Sequence, residues 1–279
     1  MLVANLRYSR KVRFSVPDPA VLRPLAPSVS RVRDALLGGR RNLQADRDLA
    51  DLLELRFPGT ARAALEARAF ASRAVTWCAR QGIAQFVIPE PGLPLPGGAA
   101  EAARAVIPGA RVAYAVTDVS ETGYARREAA GDDATAAVVG ISAGDPAGLL
   151  ADPALLKVID LGEPAAVVLA MTAHLMPGEE AAAMVAGFAS ALAPGSALVV
   201  SAWVPPGPGA GRLIAACAPA ARLFRHTVPD IEGWLSGLDL VKPGVTDVRG
   251  WRAGMPEPRL RPRPDAMTAG AVARVLPSR

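Results

Sequence analysis

The chain has 279 residues, of which 51% are hydrophobic and 20% are charged, which is enough apolar material for one large α/β core. Only 5% are aromatic, so that core must consist mainly of Ala, Val and Leu. The formal charge of +5 comes from arginines that are interleaved with acids along the chain, which argues against a nucleic-acid-binding patch.

Nothing in the sequence indicates export or membrane insertion. The first residues, "MLVANLRYSRKVRFSV", are too polar for a signal peptide, and no stretch approaches the roughly 20 apolar residues that cross a bilayer. Cys78 and Cys217 lie far apart and fit no metal-ligand spacing. We therefore expect a cytoplasmic protein, and Cys78, which follows Trp77 on an apolar helical face, should be buried.

The N-terminal third of the chain is predicted to be helical after an irregular lead. Prolines interrupt residues 1–26, which we expect to form an irregular extension. The segment "RVRDALLGGR" predicts a helix with Ser28 or Ser30 as its N-cap and an end at two glycines. The segments "ADRDLADLLELRFPGT" and "ARAALEARAFASRAVTWCARQG" predict two more helices. Residues 27–82 should form a helical cap within a single domain, residues 27–279.

Residues 83–279 alternate between apolar runs and Ala-rich helical segments, a rhythm typical of βαβ units in a doubly wound parallel sheet. Runs such as "AAVVLAM" and "SALVVSA" indicate strands that are buried on both faces. "VTDVRGW" and "GAVARV" should close the chain as a hairpin. The predicted strands are Gln85–Ile88, Arg111–Val116, Ala136–Ile141, Ala165–Met171 and Ala197–Ala202, with helices near 98–107, 119–129, 146–157 and 179–193.

Several longer blocks occur together and in a recognisable order. They are "PSVSRVRDALLGGRRNLQADR", "GIAQFVIPEPGLP", "DPAGLLADPALLKVIDLGEPAAVVLAMTAHLM", "ALAPGSALVVS" and "GLDLVKPGVTDVRGWR". The chain resembles the actinobacterial S-adenosyl methyltransferase family over residues 27–276. The resemblance implies a Rossmann-like class I methyltransferase fold: a seven-stranded sheet with a terminal antiparallel hairpin, and N-terminal helices that cap a pocket for S-adenosylmethionine.

The loop after the first strand departs from the pattern of that family, D-I-G-T-G-L-P-T. Ile88 stands at the position of the Asp and Glu90 at that of the first glycine, whereas Gly92 and Leu93 match. Two glycines would let the backbone approach the methionine part of the cofactor closely. Glu90 adds an acidic side chain there, and Pro89 and the proline at 91 remove N–H donors.

Two further positions of the implied cofactor pocket also differ. Val116 stands where an acid of the family would accept hydrogen bonds from the ribose, and Asp118 follows two residues later. Ser142 stands where an Asp would hold the adenine amino group. In the cap, Arg33 and Ala35 replace tyrosines of the family. The resemblance thus assigns the cofactor pocket to Glu90, Gly92, Leu93, Asp118 and Ser142 and predicts weakened binding there.

Two functions remain open at this point. The first is a methyltransferase-fold protein with an eroded cofactor site, which binds a small molecule or a protein partner or catalyses another reaction, with no cofactor. The alternative is an active methyltransferase that uses S-adenosylmethionine on an unknown small molecule. In neither do we expect a nucleic acid, a membrane or a metal ion as a partner.

One histidine is a candidate catalytic residue. His174 follows the fourth strand, at the carboxyl edge where open α/β sheets bind ligands. It could act as a general base near neutral pH, or be a structural histidine hydrogen-bonded in the crevice. His226 is expected to lie on the surface, and the two histidines with only remote acids suggest no metal site.

Overall fold

The computed structural model describes residues 26–117, 119–129, 135–205, 207, 209–253 and 268–277. The predicted irregular extension, residues 1–26, lies outside the described residues except for Ala26. The three predicted cap helices are confirmed. They are α1 (Val29–Leu36), α2 (Gln44–Arg56) and α3 (Thr60–Arg80).

One buried carboxyl group, that of Asp46, joins the beginnings of the first two cap helices. Its Oδ1 accepts a hydrogen bond from the Ser28 N–H at 3.1 Å, and its Oδ2 accepts from the Leu43 N–H and the Arg31 Nε at 2.7 Å each. The Ser28 hydroxyl in turn accepts from the Arg31 N–H, which confirms Ser28 as the N-cap of α1. Hydrogen bonds to the Asp46 carboxyl group therefore connect the N-terminal ends of α1 and α2.

The rest of the described chain builds a mixed sheet with helices on both faces. The strand order is β3-β2-β1-β4-β5-β8-β6, with β7 beside β8; the first five strands are parallel, and β8 runs antiparallel to β5. All five predicted strands are confirmed. The strands are β1 (Gln85–Pro89), β2 (Arg111–Ala115), β3 (Ala136–Val139), β4 (Ala166–Ala170), β5 (Ala197–Trp203), β6 (Asp239–Leu240), β7 (Thr246–Asp247) and β8 (Thr268–Arg274).

The four helices predicted between the strands agree with the structure except at one place, and two more helices that were not predicted, α9 and α10, follow β5. The helix predicted over 146–157 is divided in two, because Asp152 caps the N–H groups of Ala154 and Leu155, and Pro153 begins a new helix. The helices are α4 (Ala99–Val106), α5 (Val119–Ala129), α6 (Pro146–Leu150), α7 (Pro153–Leu156), α8 (Gly178–Ala191), α9 (Ala210–Cys217) and α10 (Val228–Trp234).

The terminal hairpin is confirmed, but the predicted number of seven strands was wrong. The described residues form eight, since the strand preceding β8 is interrupted and contributes the two short strands β6 and β7. Pro243 and Gly244 lie between them; Pro243 has no N–H to donate to a ladder, and Gly244 has a φ of +85°. This tight turn separates β7, which lies in the predicted strand "VTDVRGW", from β6, which was not predicted.

Helix α3 crosses one face of the sheet so closely that its contact requires a glycine. A Cβ at Gly270, on β8, would lie 2.7 Å from the Val200 carbonyl oxygen, 2.9 Å from the Ser201 Cβ and 3.0 Å from the Phe70 ring of α3. Phe70 is fully buried and packs edge-to-face on Trp251 with ring centroids 5.3 Å apart. The cap can therefore pack this closely on the sheet only because residue 270 is a glycine and has no side chain.

Gly270→Ala should lower the free energy of unfolding by about 1–3 kcal/mol, because the added methyl group has no room between β5 and α3. Urea unfolding followed by circular dichroism measures this change. Gly211→Ala is the matched control: Gly211 is exposed in α9, and a Cβ there would meet nothing within 4 Å. An equal effect of the two substitutions would contradict this account of the packing.

Candidate functional site

The loop that follows β1 keeps a glycine-like backbone at a position that holds no glycine. Glu90 has a φ of +48°, in the left-handed region that side chains other than glycine rarely adopt. Its N–H still donates to the Ala115 carbonyl oxygen at 2.8 Å. The turn implied by the family pattern is therefore retained, although a glutamate occupies the place of its first glycine.

The cap holds this loop along its whole length through the loop's carbonyl oxygens. Prolines remove N–H groups from the loop but leave its carbonyls free to accept, and side chains of the cap donate to them. The bonds run from Arg33 to Glu90 (3.1 Å), from Arg41 to Pro94 (2.6 Å), from Arg68 to Leu95 and to Pro96 (3.1 Å), and from Ser72 to Gly97 (2.8 Å).

Gly92, the glycine that the loop retains, is covered by side chains of the chain itself. Its N–H donates to Glu121 Oε2 at 3.0 Å, and the other oxygen of that carboxyl accepts from the Ser30 hydroxyl of α1. Glu121 is only 1% exposed. Arg33 Nη2 lies 1.9 Å from the point that a Cβ of Gly92 would occupy. The close backbone approach that a glycine permits is thus used here by Arg33.

The three positions where the family pattern has an acid, at the end of β1, for the ribose and for the adenine, carry no acid among the described residues. Ile88 and Val116 are 5% and 2% exposed and pack in the apolar core against α3 and α4. Ser142 is exposed, and its hydroxyl accepts from the Gly144 N–H at 3.1 Å. Asp118 lies outside the described residues. Glu90 directly follows β1, and its Oε1 accepts from the hydroxyl of Thr117, two residues after β2, at 2.7 Å.

A cavity of about 170 Å³ lies under the cap, at the carboxyl ends of β1, β4 and β5. Its walls are mostly apolar and come from α1, α2 and α3, from the strand ends and from the segment after α9. Leu93 lies in the wall, whereas Val116 and Ser142 do not. The cavity is therefore displaced from the adenosine positions toward the fourth and fifth strands. The polar and charged side chains of its wall are those of Arg33, Asp34, Thr60, Arg68, Glu90, His174 and Trp203.

His174 and Trp203 lie in the wall of this cavity, and each has a buried ring nitrogen. The residues are 5% and 8% exposed, and their rings meet edge-to-face with centroids 6.3 Å apart. His174 Nδ1 and Trp203 Nε1 have no hydrogen-bond partner among the described residues. Desolvation lowers the pKa of His174 to about 3, with further contributions from the positive charge of Arg33 and from His226. The imidazole is therefore neutral at pH 7 and is a weak base.

His226 is buried, and its predicted surface position was wrong. It is 2% exposed, its Nε2 lies 3.0 Å from the Ala173 carbonyl oxygen, and its ring packs on Trp234 with centroids 4.8 Å apart. The segment that carries it returns to the sheet edge, where the Phe224 N–H donates to the carbonyl oxygen of His174 at 2.9 Å. His226 thus supports the backbone around His174.

Both cysteines are buried thiols. Burial raises the pKa of Cys78 to about 12 and that of Cys217 to about 11, so neither is a thiolate at neutral pH. Within the described ranges, no group of three His, Cys, Asp or Glu side chains could hold a metal ion. No helix in that part of the chain is long and apolar enough to cross a membrane.

Comparison with known proteins places this geometry in a family. The model of the S-adenosyl methyltransferase family matches residues 19–276. The chain belongs to this family. No protein with a curated description matches it significantly.

Two solved structures are similar over nearly the whole chain. A candidate methyltransferase from Thermobifida fusca YX is 32% identical, with a TM-score of 0.84, covering 94% of this chain and 100% of the other. A DUF574 family protein from Streptomyces avermitilis MA-4680 is 27% identical, with a TM-score of 0.80, covering 89% and 97%. The resemblance seen in the sequence and the fold class it implied are confirmed.

The structure brings together only some of the predicted site residues and adds others. Glu90, Gly92 and Leu93 lie in the loop after β1. Ser142 lies elsewhere, and its hydroxyl accepts from the Gly144 N–H in the turn before α6. The sequence did not reveal Glu121, because a single glutamate on a polar helical segment is usually exposed. Arg33 stood out as a departure from the family pattern, but its contact with Gly92 is visible only in the fold.

The buried neutral His174 predicts an acid-sensitive fold. Its pKa is lowered from 6.5 to about 3 in the folded state, so the unfolded chain binds the proton first, and stability falls as the pH drops below 6.5. Lowering the pH from 7 to 5 should cost about 2 kcal/mol from this group. Urea unfolding at both pH values measures the loss. His174→Gln should reduce it; an identical loss in this variant would contradict the assignment.

Proposed function

We propose that this member of the S-adenosyl methyltransferase family does not transfer methyl groups. Instead it binds a small molecule in the cavity under its helical cap. The observation that carries the proposal is the cover on Gly92: the Arg33 guanidinium lies against its Cα, and Glu121 accepts its N–H. A cofactor whose methionine part must approach this backbone would have to displace a buried carboxyl group and an arginine together.

The residues at the three positions where the family pattern has an acid also support the proposal, because they do not fit the cofactor. Ile88 and Val116 offer no acceptor for hydroxyl groups, and the Ser142 hydroxyl already accepts from the Gly144 N–H. Hydrogen bonds that involve a charged group contribute about 1.5–3 kcal/mol each. The loss of three such anchors would weaken binding of S-adenosylmethionine by several powers of ten.

A second candidate function, an active methyltransferase, is favoured by one specific observation. Glu90 and Thr117 form a hydrogen-bonded pair of 2.7 Å at the carboxyl ends of β1 and β2, where an acid for the ribose would be needed. In that case Glu90 would be a displaced ribose-binding residue, and the acceptor substrate would lie in the cavity beside His174.

Isothermal titration calorimetry with S-adenosylmethionine and S-adenosylhomocysteine separates the two functions. We expect no saturable binding of either compound up to millimolar concentration, because the methionine loop is closed and the adenosine anchors are missing. Micromolar binding of either compound would contradict the proposal and lead to a search for a methyl acceptor.

Glu90→Gln sharpens the same titration. If Glu90 holds the ribose, this substitution should weaken binding about tenfold, the loss of one charged hydrogen bond, whereas Glu163→Gln, an exposed carboxylate before β4, should have no effect. Under the proposed function, the wild type and both variants give the same flat titration.

A further inference from the structure

The cavity under the cap has the size and the walls of a site for one ring. Its volume is about 170 Å³, close to the roughly 150 Å³ of an apolar cavity that binds benzene. The side chains of Val32, Leu49, Leu53, Ile88 and Leu223 form much of its wall. A flat apolar group of six to eight heavy atoms would therefore fill the cavity, whereas a whole nucleoside is too large for it.

Two side chains of the wall, His174 and Trp203, carry ring nitrogens of the kind that pairs with a hydroxyl group. Trp203 Nε1 is a donor only, and His174 Nδ1 is a donor or an acceptor according to the tautomer. Both are buried and have no partner among the described residues, a state that is uncommon in folded proteins. Their rings are in edge-to-face contact, so the two side chains are neighbours in the wall.

The charges around the cavity favour a neutral ligand. Two basic side chains, Arg33 and Arg68, and two acidic side chains, Asp34 and Glu90, contribute to its wall. Both arginines already donate to carbonyl oxygens of the loop, and Asp34 Oδ2 accepts from the Arg41 N–H at 2.8 Å. Since the opposite charges cancel, a buried ionic ligand would find no net countercharge.

We propose that the cavity binds a neutral phenol-type small molecule, with its ring among the apolar side chains and its hydroxyl group between Trp203 Nε1 and His174 Nδ1. The hydroxyl oxygen accepts from the indole N–H, and the group donates to Nδ1 or accepts from it according to the tautomer. This assignment rests on the proposed function, in which the ligand binds in the cavity and not at the loop after β1.

The indole N–H signals of the tryptophans test the proposal directly. The chain has four tryptophans, so a 15N-labelled sample gives up to four indole cross-peaks in a 1H–15N correlation spectrum. Phenol should shift the Trp203 peak in a saturable way and bind about tenfold more tightly than toluene, which fills the cavity but makes no hydrogen bond. Benzoate and benzylamine, which are charged, should bind more weakly than phenol.

Two variants supply the matched control. Trp203→Phe keeps an aromatic ring but removes the N–H, and should reduce the preference for phenol over toluene to less than about threefold. Trp251→Phe also removes a buried indole N–H without a described partner, but Trp251 lies in the core beside Phe70, outside the cavity wall. This variant should keep the full preference.

Equal affinity for phenol and toluene in the wild type, tighter binding of benzoate, or an unchanged preference in Trp203→Phe would overturn the assignment. S-adenosylmethionine, added to a separate sample, distinguishes a failure of the proposed function from a failure of the proposed ligand class. If it shifts the indole peaks at micromolar concentration, the proposed function fails. If neither it nor phenol shifts them, only the ligand class fails.

Discussion

The contact on which the site depends is the buried carboxyl group of Glu121. It accepts from the Ser30 hydroxyl of α1 and from the Gly92 N–H of the loop after β1, and so joins the cap, the loop and α5 at one point. Around this point the cap donates to one loop carbonyl after another. A carboxyl group that is buried this deeply is tolerated only because its oxygens have such partners. The loop after β1 is thereby bonded to the cap.

The contacts of the cap with the loop after β1 determine where the cavity under the cap lies. Arg33 is drawn over Gly92 and toward the Glu90 carbonyl, which brings a positive charge near His174 and adds to the desolvation that keeps this imidazole neutral. The space left under the cap lies toward β4 and β5 and is lined by His174 and Trp203. The fold thus presents a mainly apolar cavity at this edge of the sheet, which is the ligand site of the proposed function.

Much of the fold could be predicted from the sequence. Continuous apolar runs located all five parallel strands, because strands that are buried on both faces tolerate few polar residues. Strand β6 was missed, because it has only two residues and lies before the turn at Pro243 and Gly244. For the site, the sequence predicted which positions line the implied cofactor pocket but not the contacts that their side chains make. The burial of His226 and the joint at Glu121 arise from residues far apart in the chain, about which helical and strand periodicity carry no information.

Amide hydrogen exchange at Gly92 tests the central claim most directly. The Gly92 N–H is bonded to a buried carboxyl group, and the account predicts that its exchange is slow and that millimolar S-adenosylmethionine leaves the rate unchanged. A Gly92 amide that exchanges as fast as an exposed one, or whose exchange rate changes when the cofactor is added, would contradict the account and show that the methionine loop opens to bind it.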